Sequence, residues 1–325
     1  MDIERVLTAF RDDRSGDLAG TGTVSASLFD PLFDVALDSA LGGKHLRARF
    51  CHAGWCAAGG APADPRIVTA AAAFEWLQAS ALVHDDLMDE SDTRRGKPTV
   101  HRVLGANAAI LVGDLQLSWA DQMIRAAGAE APDWHLREAL RWWDLCKTEV
   151  VTGQFLDVTA EQRDEITVEE AFAVVEFKSA KYTIERPLHV GAALAGASPA
   201  LLASLSAYAL PLGKAFQLRD DVLGVYGDPA VTGKPAGDDL REGKRTVLVA
   251  HAAARLGSDR VLPLLGREET VDELAGLLVE CGALAAVEAD IERLEAEARA
   301  ALADVDPEAR EVLERLVDAV IHRER

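Results

Sequence analysis

With 325 residues, 49% of them apolar, the chain holds material for one large core or two smaller ones. A formal net charge of −20 argues against a nucleic-acid or anionic-membrane surface, because phosphate backbones demand a basic footprint. Abundant alanine with only 6% aromatic residues favours closely packed helices over a β-sandwich, so the expected fold class is all-α. Cys51, Cys56, Cys146 and Cys281 form neither a CxxC pair nor a disulfide-like framework, which fits a reducing cytoplasm. The N-terminal MDIERVLTAFRDDR lacks an apolar signal core, and no apolar run reaches about 18 residues. A cytoplasmic protein without a stable membrane anchor is expected.

In chain order, residues 1–13 read as an amphipathic helix and Arg14 to Ser27 as a Gly/Ser/Thr-rich connection. The next helix starts near Asp30-Pro31, with Asp as N-cap and Pro in the first turn, and ends at Gly42-Gly43. Lys44-His45-Leu46-Arg47 follow, with Lys44 and Arg47 one helical turn apart; taken alone, a glycine cap beside basic residues is a common helix terminus. Ala48 to Trp55 is helical and Gly59 to Pro65 is a turn.

The stretch from Phe74 to His101, FEWLQASALVHDDLMDESDTRRGKPTVH, runs from an apolar helix into Asp85, Asp86 and Asp89, then into Arg94 and Arg95. On a helix Asp85 and Asp89 share a face, while Asp86 sits about 100° round. Like charges stacked on one face cost stability unless a cation lies between them. Mg²⁺ suits such a pair, because it takes one or two carboxylates and completes its shell with water and phosphate oxygens. Arginines would hold those phosphates directly. The bland alternative is a solvated acidic helix end beside a basic loop.

Val103 to Ala127 and Asp133 to Asp157 each read as a long helix, with a break at Gly128 to Pro132. Trp142-Trp143 is assigned to core or subunit contacts. Thr167 to Glu170 is a capping box opening a helix that carries Phe177, Lys178, Ser179 and Lys181. Pro211 to Val225, PLGKAFQLRDDVLGV, repeats the earlier pattern: an apolar helix with Gln217 enters Asp220-Asp221. A loop with Lys234, Asp238, Asp239, Lys244 and Arg245 follows. Two helix–acid–base units separated by several helices can face each other across a cavity, an arrangement suited to a magnesium-bound diphosphate. Neither a Ser/His/Asp or Cys/His relay nor a Walker A or dinucleotide fingerprint is evident. The chemistry expected is therefore departure of a diphosphate, with an apolar pocket protecting the carbocation left behind.

Over nearly its whole length the chain resembles the all-trans isoprenyl diphosphate synthases, the polyprenyl synthase family. DDLMD, Asp85 to Asp89, is similar to the family's first aspartate-rich motif, and Asp220-Asp221 to the second. The resemblance implies Mg²⁺ on Asp85, Asp89 and Asp220, supported by Asp86, Asp221, Gln154 and Asp157, the last two matching G-Q-x-x-D. It implies isopentenyl diphosphate on Lys44, Arg47, Gln78 and Arg95, with Gly43, Lys44 and Arg47 matching GGK-x-x-R. It places the allylic diphosphate on Arg94, Lys178, Gln217 and Lys234, with Ser179 keeping the hydroxyl of the family's Thr and Lys244 in a mobile segment. Lys178, Gln217 and Lys234 are the expected catalytic residues. Departures are Gly224 in place of the second motif's last Asp, His45 for Arg and Ala48 for Pro. The implied architecture is a single domain over residues 1–325, an isoprenoid synthase type I helical bundle around a central cavity, assembled as a homodimer.

In the family, bulky residues four or five positions before the first Asp cap the growing chain; here these are Ala81 and Ser80, too small to do so. Back along the helix come Leu77 and Phe74, the latter about 16 Å from Asp85 at roughly 1.5 Å per residue. A geranylgeranyl product is expected, with a farnesyl or longer polyprenyl product as alternatives. A class I terpene cyclase is disfavoured by Lys44, Arg47, Gln78 and Arg95, which it would not need. A non-catalytic partner subunit is disfavoured by the survival of both acidic motifs, and an HD-type phosphohydrolase rests on His84-Asp85 alone.

Overall fold

The computed structural model describes residues 1–22, 25–229, 235–303 and 305–321, and among these the chain is all-α apart from one short hairpin. It divides into two compact units: Met1–Leu140 with Val190–Gly196, and Arg141–His189 with Ala197–Arg325. No helix among the described residues is long and apolar enough to cross a membrane.

The first unit holds α1 (Ile3–Gly20), α2 (Asp30–Ala40), α3 (Leu46–Ala57), α4 (Pro65–Met88), α5 (Val100–Leu104) and α6 (Ala106–Ala127). Helix α4 is its axis. The Asp64 carboxylate caps its start by accepting from the Arg66 N–H, and Pro65 opens its first turn. Every residue from Ala70 to Leu77 is buried, Glu75 included, and α4 packs on both α3 and α6. Trp76 meets Trp119 edge-on at 4.9 Å, and Phe33 closes on the same indole at 4.8 Å. Each such pair contributes about 0.5–1.5 kcal/mol beyond its buried area.

Two local expectations change here. Helix α1 runs on to Gly20, because Ser15 and Arg11 both reach Asp30 of α2, at 3.0 and 3.5 Å. Asp30 consequently serves α1, and the N-cap position of α2 falls to Phe29. The helix expected over 103–127 is interrupted at Gly105, whose φ of +84° separates α5 from α6.

The second unit comprises α7 (Asp133–Ala160) from Arg141 onward, α8 (Val168–Val174), a π-helical segment Val175–Glu185, α9 (Arg186–Leu194) up to His189, α10 (Pro199–Tyr226), α11 (Asp238–Arg241), α12 (Val247–Leu256), α13 (Ser258–Val261), α14 (Val271–Glu280), α15 (Ala283–Ala301) and α16 (Pro307–Ile321). The Thr167–Glu170 capping box forms as expected. Helix α10 is central, packing against the π-helix, α12, α15 and α16; Tyr208 anchors it by donating to the Leu313 carbonyl at 2.9 Å. Beneath it, Arg186 and Glu149 form a buried two-point pair at 2.6 and 2.7 Å, joined by Lys181 at 3.3 Å. Trp143 is core, 1% exposed, whereas half-buried Trp142 stacks on His189 and on the Arg141 guanidinium.

Candidate active site

In the first unit the acids gather at the C-terminal end of α4, where the helix dipole already concentrates negative potential. Asp89 is the capping residue and its N–H donates to the Asp85 carbonyl at 2.8 Å, which keeps the two carboxylates one turn apart on one face. Asp86 points elsewhere: it is 4% exposed and receives Arg94 through Nε at 2.8 Å and through Nη2. Arg94 Nη2 also lies 3.8 Å from Asp85.

The sequence sets Arg94 and Arg95 side by side, and the hairpin sends them apart. Strands β1 (Thr93–Arg94) and β2 (Lys97–Pro98) pair antiparallel across Arg95-Gly96, whose φ values of 52° and 74° fit a type I′ turn. Arg94 therefore stays on the strand beside Asp86. Arg95 instead donates through Nη1 to the carbonyls of Leu41 and Gly42, at 2.9 and 3.1 Å. A side chain on Gly43 would stand 2.9 Å from Arg95 Nη2, so the glycine permits this approach. Arg95 and the Gly43-Lys44 turn are thus brought together, with Lys44 exposed and Arg47 half-buried in the first turn of α3. Gln78 is half-buried on α4; Phe74, Leu77 and Ser80 are buried on the same helix and Ala81 is half-buried.

In the second unit the expected residues form two hydrogen-bonded groups, Lys178 with Asp157 and Ser179 with Gln217 and Asp221. The π-helix passes so close to α7 that a Cβ on Gly153 would lie 2.2 Å from the Lys178 backbone nitrogen. This proximity lets Lys178 Nζ reach Asp157 at 2.5 Å, with Gln154 half-buried beside it on α7. On the other side Ser179 donates to Gln217 Oε1 at 2.6 Å, and Gln217 Nε2 donates to Asp221 Oδ1 at 2.8 Å. The π-helix was not legible as such in the sequence, yet such segments recur at functional sites. Burial first, then the neighbouring carboxylates of Asp239, Asp220 and Asp157, push the Asp221 carboxyl well above the usual carboxylate range, against the bond from Gln217. Lys244 lies 3.7 Å from Asp239 and also pairs with Glu242. Lys234 lies outside the described residues.

Asp239 is the residue the motif comparison missed. Gly224 leaves the second motif without its last acid, but a Cβ there would sit only 2.0 Å from Asp239 Oδ2. The Gly237 N–H donates to the Gly224 carbonyl at 3.1 Å, holding the start of α11 against α10. A carboxylate from fifteen residues downstream thus fills the space of the missing side chain. The only signal in the sequence was an acid in a basic loop following a truncated motif.

The donors available to a metal are half-exposed carboxylate oxygens, those of Asp85 and Asp89 in the first unit and that of Asp220 in the second. Oxygen donors of this kind suit a hard cation such as Mg²⁺, which keeps water and phosphate oxygens in its shell. Among the described residues no three His, Cys, Asp or Glu side chains converge to hold a metal by themselves.

A family model described as Polyprenyl synthetase matches residues 30–280. The chain is 34% identical over 293 residues to a geranylfarnesyl diphosphate synthase of Aeropyrum pernix, covering 87% of this chain and 91% of that one. It is 38% identical over 236 residues to a (2E,6E)-farnesyl diphosphate synthase of Mycobacterium bovis, covering 70% of this chain and 64% of that one. Its fold matches the crystal structure of a geranylgeranyl pyrophosphate synthase from Corynebacterium glutamicum complexed with isoprenyl diphosphate and magnesium. That likeness has a TM-score of 0.89 and 38% identity and covers 99% of this chain and 97% of that one. With the family model spanning residues 30–280 and the Aeropyrum pernix relative matched over most of both chains, the protein belongs to the polyprenyl synthetase family of prenyl diphosphate synthases.

Proposed function

We propose that the protein condenses isopentenyl diphosphate head-to-tail with an allylic prenyl diphosphate and that its main product is geranylgeranyl diphosphate. The observation that supports this is Arg95 folded onto the turn that presents Lys44, a pairing of cations suited to a second diphosphate. A terpene cyclase, acting on one diphosphate, has no use for it.

In this mechanism Lys178, Gln217 and Arg94 hold the allylic diphosphate while its C1–O bond breaks. Lys44, Arg47, Gln78 and Arg95 orient isopentenyl diphosphate so that its double bond attacks C1. The proton lost from the new bond's neighbour leaves with the released diphosphate, so no side chain need act as nucleophile. Asp85, Asp89 and Asp220 would hold Mg²⁺, with Asp86, Asp221, Gln154 and Asp157 in support, and the ion would supply positive charge to the departing diphosphate. The buried face of α4 excludes water from the carbocation. We place the enzyme in the cytoplasm, as one synthase domain over residues 1–325, and as a homodimer. The strongly exposed apolar side chains Leu111 on α6 and Phe155 on α7, 60% and 66% exposed, are consistent with subunit contacts, and sedimentation tests the dimer.

The test is incubation with Mg²⁺, isopentenyl diphosphate and dimethylallyl, geranyl or farnesyl diphosphate in turn, with chromatography of the products. Absence of any elongated product sinks the synthase assignment, and hydrocarbon released from geranylgeranyl diphosphate alone would make it a cyclase. The relatives span farnesyl, geranylgeranyl and geranylfarnesyl synthases, so product length rests on α4. Phe74→Ala is expected to lengthen the main product by at least one five-carbon unit; an unchanged length would remove Phe74 as the floor.

Gly224→Asp, although it restores the family's acid, is expected to reduce turnover about tenfold. The new side chain must displace Asp239 and adds a carboxylate to a crowded group. Combining it with Asp239→Gly is expected to recover most of the loss, which steady-state kinetics of the two variants will show.

A further inference from the structure

His45 stands where the family carries arginine, and its surroundings assign it a task. Its backbone is left-handed, φ 49° and ψ 42°, in a turn where Gly42 and Gly43 also have positive φ. A β-carbon in that region is strained, so surrounding contacts must hold it. The imidazole does not cap α3. It reaches across to α4, where Nδ1 lies 2.8 Å from Oε2 of Glu75, a carboxylate 7% exposed. On its other side Nε2 is 3.8 Å from Glu4 of α1, whose Oε1 also accepts the Gly42 N–H at 3.0 Å. The turn from Leu41 to His45 is therefore fastened upstream by Glu4 and Arg95 and downstream by Glu75. Lys44 is presented between the two.

We propose that His45 is a positioning residue for isopentenyl diphosphate: its bond to buried Glu75 fixes the turn that presents Lys44, and the strength of that hold varies with pH. The inference rests on the synthase function proposed above. The charged groups facing the ring are Glu75 from α4, Glu4 from α1 and Arg95 from the hairpin, with Lys44 adjacent on its own turn. The Glu75 hydrogen bond raises the His45 pKa above the ordinary 6.5, burial opposes this, the Glu75 and Glu4 charges reinforce it, and Arg95 counters. The charge-assisted bond is thus complete at low pH and weakens as pH rises through the raised value. Arginine at this position would keep its charge throughout.

The experiment compares wild type, His45→Arg and His45→Gln from about pH 6 to about pH 9, a range spanning histidine titration. KM for isopentenyl diphosphate is expected to rise with pH about tenfold in wild type, the loss expected when a charge-assisted bond to a buried carboxylate becomes neutral. His45→Arg should hold a low KM with a flatter profile, and His45→Gln a high KM at every pH, while KM for the allylic substrate moves less than twofold. Because the substrate's own ionisation is common to all three proteins, parallel profiles in wild type and His45→Arg would overturn the proposal. Equal rises in both KM values for His45→Gln would also do so, indicating a merely structural role. Calorimetric titration with isopentenyl diphosphate alone reads the same difference without turnover. A protein that binds it with this pH signature yet yields no prenyl product sinks the synthase function and keeps the positioning role. Failure to bind it at any pH overturns both.

Discussion

Asp85→Ala is expected to lower turnover about a thousandfold at saturating substrates while leaving the melting temperature within a few degrees of wild type. The carboxylate lies in the last turn of α4, half-exposed, and shares its face with Asp89. Its ion pair with Arg94 Nη2, at 3.8 Å, is long and partly solvated. Removal of the carboxylate even relieves like-charge repulsion at the negative end of a helix dipole, so stability should change by less than about 1 kcal/mol. Function should respond differently, because a diphosphate leaves only where its charge is neutralised as it develops. Loss of one group dedicated to that task typically costs two to three orders of magnitude, or about 4 kcal/mol at the upper end. Steady-state rates across a Mg²⁺ titration, alongside thermal melts, separate the two effects. Asp86→Ala makes the contrast: this buried carboxylate holds Arg94, so its loss should lower the melting temperature as well as the rate. A drop of less than tenfold for Asp85→Ala would remove it from the metal clamp.

Those residues were legible because their chemistry is local. Asp85 and Asp89 share a face by helix periodicity alone, and the Thr167–Glu170 box needs four consecutive residues. What escaped depends on partners distant in sequence. By spacing alone Arg94 and Arg95 look equivalent, and only the resemblance gives them different diphosphates; the hairpin turn aims one at Asp86 and the other at Gly42. The extension of α1 is decided by Asp30, and the place left by Gly224 is filled by Asp239. Gly105 could be read as a tolerated helical glycine, and only its positive φ shows that it ends α5. The π-helical winding of Val175–Glu185 leaves no period in the sequence that an α-helix would not also leave. It becomes evident only in where Lys178 and Ser179 point.

That winding yields the second large effect. Gly153→Ala is expected to reduce turnover about a hundredfold and to lower the melting temperature by several degrees. An added Cβ would lie 2.2 Å from the Lys178 nitrogen and 2.6 Å from both the Lys178 Cα and the Phe177 carbonyl carbon. All three are backbone atoms, so no side chain can swing aside; α7 and the π-helix must part by roughly 1 Å or distort. Overpacking of this kind costs about 1–3 kcal/mol, against which the better helix propensity of alanine returns only about 1 kcal/mol. The same displacement would draw Lys178 from Asp157 and Ser179 from Gln217, and a misplacement of about 1 Å can cost two orders of magnitude in rate. Gly276→Ala, in α14 with open space around the site, supplies the control: the same chemical change should leave the rate intact and the melting temperature equal or slightly raised. If both variants behaved alike, close approach of the π-helix to α7 would not be what places Lys178. A difference confined to Gly153→Ala, with KM for the allylic substrate rising as kcat falls, would tie the glycine of the G-Q-x-x-D motif to the position of that lysine.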